Sequence, residues 1–212
     1  MGIVTISASY GASGSQVGPE VAETLGLPFV DRAIPASVAH KLGVSLDDAE
    51  AKDETVASGL WRVISSMALV PDLSGAGPLA YAPAPDERAF REKTEEVLHE
   101  VADSTGGVIL GRAGAVVLAD VPDALHVRLD GPPAARLAHA RRFAEAEERI
   151  DMDTLRENDA ARIAYWRHFY RLDWHDCRQY HLVLDSTALP HNTVVGLIVT
   201  AARSRGISAH GT

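Results

Sequence analysis

Lysine is almost missing from this 212-residue chain. Of its 20 basic residues only Lys41, Lys52 and Lys93 are lysines, and none precedes position 41. Cysteine is scarcer: Cys177 stands alone, which excludes an intramolecular disulfide and fits a reducing compartment, so a cytoplasmic location is expected. No run approaches the roughly 18 apolar residues that a membrane span needs. The opening MGIVTISASYG has neither a basic start nor an apolar stretch of signal-peptide length. Excess positive charge is absent too, and a net charge of −9 argues against general binding to nucleic acid or anionic lipid.

Arginine is what the chain has instead. Nine of its 17 arginines fall between Arg136 and Arg178, where nine acidic residues accompany them. The planar guanidinium grips phosphate in a bidentate way, so such a cluster reads either as a local anion site or as solvated helix faces. A hydrophobic share of 46% supports a globular core, and the length suits one α/β domain over 1–212 with helical additions.

Five short apolar segments, Gly2–Ser7, Leu27–Asp31, Gly107–Leu110, Ala124–Leu129 and Tyr180–Asp185, read as buried strands. Helical patterns alternate with them. Val17, Val21, Ala22 and Leu25 mark one that Gly26 ends; Asp86–Asp103, 133–172 and Asn192–Ala202 are others. Residues 33–70 also read as helical. Pro71–Pro85, with four prolines and two glycines, reads as a long surface loop, and Gly206–Thr212 as a frayed tail. The alternation predicts a three-layer α/β/α fold around a five-stranded parallel sheet. Ligands of such sheets sit beyond the carboxyl ends of the strands. Three chemically loaded segments fall at that edge: residues 9–18, Asp31-Arg32 and Gly111-Arg112.

Residues 9–18, SYGASGSQVG, form a glycine-rich turn between a strand and a helix. Such a turn can aim several backbone N–H groups at one anion, assisted by the helix dipole. The usual phosphate-loop pattern is G-x-x-x-x-G-K-[ST]. Here Gly14 stands where the lysine is expected and Ser15 where the Mg²⁺-binding hydroxyl is expected. The residues alone leave two readings open, a phosphate site or a plain structural turn. If the former, Gly14→Val is expected to abolish ATP binding and leave the fold intact. Of the remaining clusters, Trp174-His175-Asp176-Cys177 reads as a structural loop, since adjacent residues rarely converge on one metal ion. Tyr165, Trp166, Phe169 and Tyr170, at helical spacings, read as core.

The stretch ISASYGASGSQVGPEVAETLGLPFVDRAI resembles the opening of the cytidylate kinase-like family of P-loop proteins: a strand, a tyrosine-glycine loop without the usual lysine, a helix ending in Leu-Gly, then Asp-Arg. GVILGRAGAVVLAD, ALHVRLDGPPAARLAHARR, DAARIAYWRHFYRLDW and YHLVLDST follow in the family's order. The resemblance covers most of the chain outside roughly 45–95. It departs from the family in two places. Ser15 stands where many members carry an arginine, and Ala113 stands where true cytidylate kinases carry an aspartate.

The resemblance implies an ATP- and Mg²⁺-dependent phosphotransferase acting on a nucleoside monophosphate or similar small acceptor. Gly11, Ala12, Ser13, Gly14, Ser15 and Gln16 would hold the phosphates, with the Ser15 hydroxyl on the metal. Arg32 and Arg112 would hold the acceptor. Asp31 would accept its proton or stand near the metal, and Arg142, Arg156 and Arg162 would come from a helical lid-like region at 133–178. Arg156, Asp159 and Arg162 share one helix face, so Asp159 is expected to hold both arginines. A helical acceptor-side insert would span 45–105. Partners are then a nucleotide and a small molecule, without nucleic acid or membrane, and a homodimer is possible. Two other readings stay open: nucleotide binding or sensing without transfer, and a scaffold that has lost the site.

Overall fold

The computed structural model of the chain describes residues 2–30, 87–144 and 150–208. The expectations for 33–70 and Pro71–Pro85, most of the 45–105 insert, and Asp31 and Arg32 lie outside the described residues.

Five parallel strands form one sheet: β1 (Ile3–Ala8), β2 (Phe29–Val30), β3 (Gly107–Leu110), β4 (Ala124–Asp130) and β5 (Leu182–Asp185), in the order β2-β3-β1-β4-β5. The helices are α1 (Gly14–Leu25), α2 (Glu87–Asp103), α3 (Gly114–Val117), α4 (Pro133–Phe143), α5 (Met152–Tyr170) and α6 (His191–Ser204). Side chains alternate across a strand, so each of the central strands feeds two layers. Val4, Ile6, Val108, Leu125, Val127 and Leu129 meet the apolar stripes of α1 and α6 on one face. Ile3, Ile109 and Ala124 meet Leu98 of α2 and Leu118 on the other. The expected three-layer α/β/α arrangement is what forms.

Gly26 ends α1 as the sequence indicates: at φ 67 it is left-handed, and its N–H reaches the carbonyls of Ala22 and Glu23. Gly18 lets α1 lie against β2, since a Cβ there would stand 2.6 Å from the Phe29 ring. The helical expectation for 133–172 resolves into α4 and α5, the latter opened by a capping box between Asp151 and Thr154. The frayed tail expected over Gly206–Thr212 is corrected at Ile207. Ile207 is fully buried in the main core, packed on Gly2 and tied by its N–H to the Ala202 carbonyl. The aromatic residues of α5 are core as expected, with Tyr165 and Trp166 joining Ala113, Ala115, Trp174 and Tyr180 in a separate cluster. No described helix is long and apolar enough to cross a membrane.

Candidate functional site

β1 and β4 are neighbours, in register from Ile3↔Ala124 to Ala8↔Leu129. From β1 the chain leaves through α1 toward β2, and from β4 through α4 and α5 toward β5, on the opposite side of the sheet. Their carboxyl ends therefore flank the point where the strand order reverses, the usual ligand crevice of an open α/β sheet. The loop 9–13 follows β1 there, and Gly131-Pro132 follows β4.

The loop has an anion-site backbone. Gly11 (φ 78) and Ser13 (φ 61) are left-handed, and Ser13 is the N-cap of α1. A non-glycine residue in that region costs about 1 kcal/mol or more, so its surroundings must hold it there. Ser13 stands at the second glycine of the phosphate-loop pattern. Its Oγ lies 3.1 Å from His139 Nδ1. The Ala12 amide donates to the Ser9 carbonyl (3.0 Å) and the Gln16 amide to the Ser13 carbonyl (3.1 Å). Among the described residues the amides of Ser13, Gly14 and Ser15 meet no acceptor, and α1 has neither a side-chain cap nor an acid in its first turn. Three outward donors at a helix N-terminus suit one phosphate group.

Four ties hold this backbone. The Asp159 carboxylate accepts the Tyr10 amide (2.8 Å) and Arg136 Nη1 (2.7 Å). Arg136, only 6% exposed, also donates Nη1 to the Tyr10 carbonyl and Nε to the Gly131 carbonyl, both at 2.9 Å. The Ser186 hydroxyl donates to the Ala12 carbonyl at 2.9 Å. Arg128, 3% exposed at the end of β4, donates to Ser9 Oγ (3.3 Å), Asp130 Oδ2 (2.9 Å) and the Trp174 carbonyl (3.0 Å). Its guanidinium also stacks 4.0 Å over the Trp174 ring. Burial raises the Asp130 pKa, but hydrogen bonds from Arg128, Ser9 and the Gly131 amide outweigh it and hold the carboxyl below its ordinary range.

Gly11 and Gly14 are fixed by space. A Cβ on Gly11 would run into the Arg136 carbonyl oxygen, and one on Gly14 would stand 2.6 Å from Ala8 Cβ and 3.0 Å from Leu110 Cδ1. The expectation that Gly14→Val spares the fold is corrected by this contact, because the added carbons enter the core between β1 and β3. The same contact explains why the lysine position carries no side chain.

The other sequence candidates are spread more widely. Ser15 is exposed in the first turn of α1. Arg112 follows β3 at φ 55, between left-handed Gly111 and Ala113, and is half-buried at the same sheet edge. Arg162 is brought to the loop's tie, 3.5 Å from Asp159. Arg142 is exposed near the end of α4. Arg156 does not share Asp159: it pairs with Asp153 at 3.3 Å, both side chains more than 70% exposed. Trp174 is buried and Asp176 caps the 3₁₀ turn at Cys177–Gln179, so the 174–177 segment is structural. Among the described residues no group of three His, Cys, Asp or Glu could hold a metal ion.

Sequence reasoning missed Arg128, Asp130, His139 and Ser186. A signal for the first pair was present. In ALHVRLD a charged residue interrupts a buried strand, and an opposite charge follows two positions on, on the same face.

A glycine loop at the switch point of this sheet defines a P-loop kinase-like fold. The chain belongs to the cytidylate kinase-like family, whose model matches residues 3–188. Its fold is similar to that of an uncharacterised protein from Eubacterium ventriosum, with a TM-score of 0.64 at 15% identity over 96% of this chain and 99% of that one. A gluconokinase from Sinorhizobium meliloti gives 0.53 at 14% identity over 97% and 93%. A sugar kinase from Janibacter gives 0.51 at 17% identity over 98% of both chains. Among curated proteins, a uronate isomerase of Corynebacterium glutamicum is 30% identical over 134 residues, which is 60% of this chain and 24% of that protein. The chain thus spans about a quarter of the length of that relative.

Proposed function

We propose that the chain is a phosphotransferase that binds ATP·Mg²⁺ on residues 11–16 and moves the γ-phosphoryl to a small acceptor. The observation that carries the reading is Ser13, held left-handed at the place of a phosphate-loop glycine, with three outward amides at the helix start. Phosphoryl transfer asks a protein for positioning and charge neutralisation more than for covalent chemistry. A loop tied from α4, α5, β4 and the segment after β5 supplies positioning. Arg162, beside the loop, would neutralise the transferring phosphoryl, with Arg142 and Arg156 of the 133–178 lid adding charge as it closes. Arg112 and Arg32 would clamp the acceptor, and Asp31 would take its proton.

Mg²⁺ needs few protein ligands, since waters and phosphate oxygens fill most of its shell. The exposed Ser15 hydroxyl in the first turn of α1 fits that demand; Asp130 and Asp159 do not, because arginines already occupy their oxygens. When bound, the metal would neutralise charge on the phosphate oxygens.

The family likeness supports a nucleoside monophosphate as acceptor, while Ala113, where true cytidylate kinases carry an aspartate, counts against CMP itself. The match to a protein named uronate isomerase adds hexuronates, whose carboxylate Arg112 could grip in the same bidentate way. A second reading, nucleotide binding without transfer, is favoured by Gly14, where core contacts exclude the lysine that neutralises charge in the transfer step. Calorimetry with ATP and Mg²⁺, followed by ADP release over nucleoside monophosphates and hexuronates, tests both. One-to-one binding with acceptor-dependent ADP release supports the transferase. Binding without turnover on any acceptor supports the second reading, and no binding refutes both.

A further inference from the structure

The loop has no lysine, and no side chain fits at Gly14, so the positive charge that a bound polyphosphate needs has to come from a neighbouring element. The two buried arginines nearest the loop are already neutralised, Arg128 by Asp130 and Arg136 by Asp159 and Asp130. Arg162, 3.5 Å from Asp159, is the charge assigned above to the transferring γ-phosphoryl and not to the phosphates seated on the loop. His139 differs from them. It lies on α4 one turn beyond Arg136, half-buried, with Nδ1 3.1 Å and Nε2 3.5 Å from the hydroxyl of Ser13, the N-cap of α1. The Phe143 ring lies 5.0 Å from its ring and is tilted to it. Among the described residues His139 makes no ion pair with a carboxylate.

We propose that His139 is a phosphate-binding residue, supplying as an imidazolium the charge that lysine supplies in other phosphate loops. The inference rests on the triphosphate reading above. A protonated imidazole donates from both nitrogens. Its Nδ1–H can rest on Ser13 Oγ, which accepts it, and the ring's charge then lies beside an anion held by the amides of Ser13, Gly14 and Ser15. Serine in place of glycine at 13 then has a use: its hydroxyl fixes the ring against the loop. The charged groups on the surrounding elements are Arg136 and Arg142 on α4, Asp159 and Arg162 on α5, and Asp130 at the end of β4. The first turn of α1 contributes no acid.

The test is the affinity for ATP at saturating Mg²⁺, by calorimetry on the full chain, for the wild-type protein, His139→Asn and His139→Lys. His139→Asn, whose amide can still reach Ser13 Oγ but carries no charge, is expected to bind roughly tenfold more weakly than the wild type. His139→Lys should restore binding to at least the wild-type affinity. A His139→Asn variant that binds as the wild type does overturns the inference and leaves the triphosphate reading standing, and so does a His139→Lys variant that binds as weakly as His139→Asn. Failure of the wild type to bind overturns both.

Discussion

Asp159→Asn separates a structural tie from a field effect, because the two predict opposite changes in nucleotide affinity. The Asp159 side chain is 14% exposed and the side chain of Arg136, its partner at 2.7 Å, is 7% exposed. Breaking a buried pair by removing one charge costs about 3–5 kcal/mol when the other is left alone. Arg136 would not be left alone: it keeps Asp130 Oδ1 at 3.6 Å and the carbonyls of Gly131 and Tyr10. The asparagine amide, however, can accept from Arg136 or from the Tyr10 N–H through one oxygen only, and it turns an N–H toward the other donor. A loss of about 2–3 kcal/mol is therefore expected.

With a urea slope of about 2 kcal/mol/M, that loss moves the unfolding midpoint down by about 1 M. A shift below about 0.3 M would refute the claim that Asp159 ties the loop to α5. Affinity is the sharper readout. Removing a negative charge beside an anion site strengthens anion binding if Asp159 acts only through its field. Freeing the Tyr10 amide loosens the loop and weakens binding if Asp159 acts as a positioning residue. The geometry requires the second result, so tighter ATP binding by Asp159→Asn would refute it.

Arg128→Lys should cost about 2–3 kcal/mol, since an ammonium cannot serve Ser9, Asp130 and the Trp174 carbonyl together and loses the planar stack; chemical denaturation followed by tryptophan fluorescence measures it, and an unchanged midpoint would count against the network. His126 governs a separate pH dependence. Burial, then His181 and Arg205, lower its pKa from 6.5 to about 4, so it is neutral when folded. The unfolded chain binds its proton first as pH falls, and the stability its neutral form contributes is complete above pH 6.5 and lost progressively toward pH 4. Urea midpoints measured across that interval should fall with pH, and less so in His126→Gln; equal slopes would refute the assignment.

The sheet was legible because its information is local. Each strand shows as a short apolar run, and a left-handed glycine such as Gly26 marks a helix end whatever the rest of the chain does. Ile207 escaped because one apolar residue in a polar tail has no period, and its burial depends on the space left by Gly2, 205 positions earlier. The same limit divides the site. Helical spacing placed Arg156, Asp159 and Arg162 on one face, which is correct as geometry, but spacing says only what shares a face. What the face meets decided the pairing: Asp159 turned to Arg136 and Tyr10, and Arg156 was left in solvent with Asp153.

The loop departs from the phosphate-loop pattern at Ala8, where the first glycine is expected, and at Ser13 and Gly14; the last two are adjacent and have one structural explanation between them. A lysine at 14 requires room for a Cβ, and Ala8 with Leu110 fills that room from β1 and β3. A site that closes this position must take its cation from elsewhere, and the nearest element is α4, whose turn at Arg136–Ala140 lies against Gly11. Glycine at 13 would offer α4 nothing to hold. Serine offers a hydroxyl to His139, at the cost of about 1 kcal/mol for its left-handed backbone. Loss of the lysine and gain of the serine thus belong to one rearrangement, in which charge moves from the loop to the helix after β4. That arrangement predicts a site whose grip on phosphate is lost with the charge at 139 and restored by His139→Lys, while a lysine at 14 would only crowd Ala8 and Leu110.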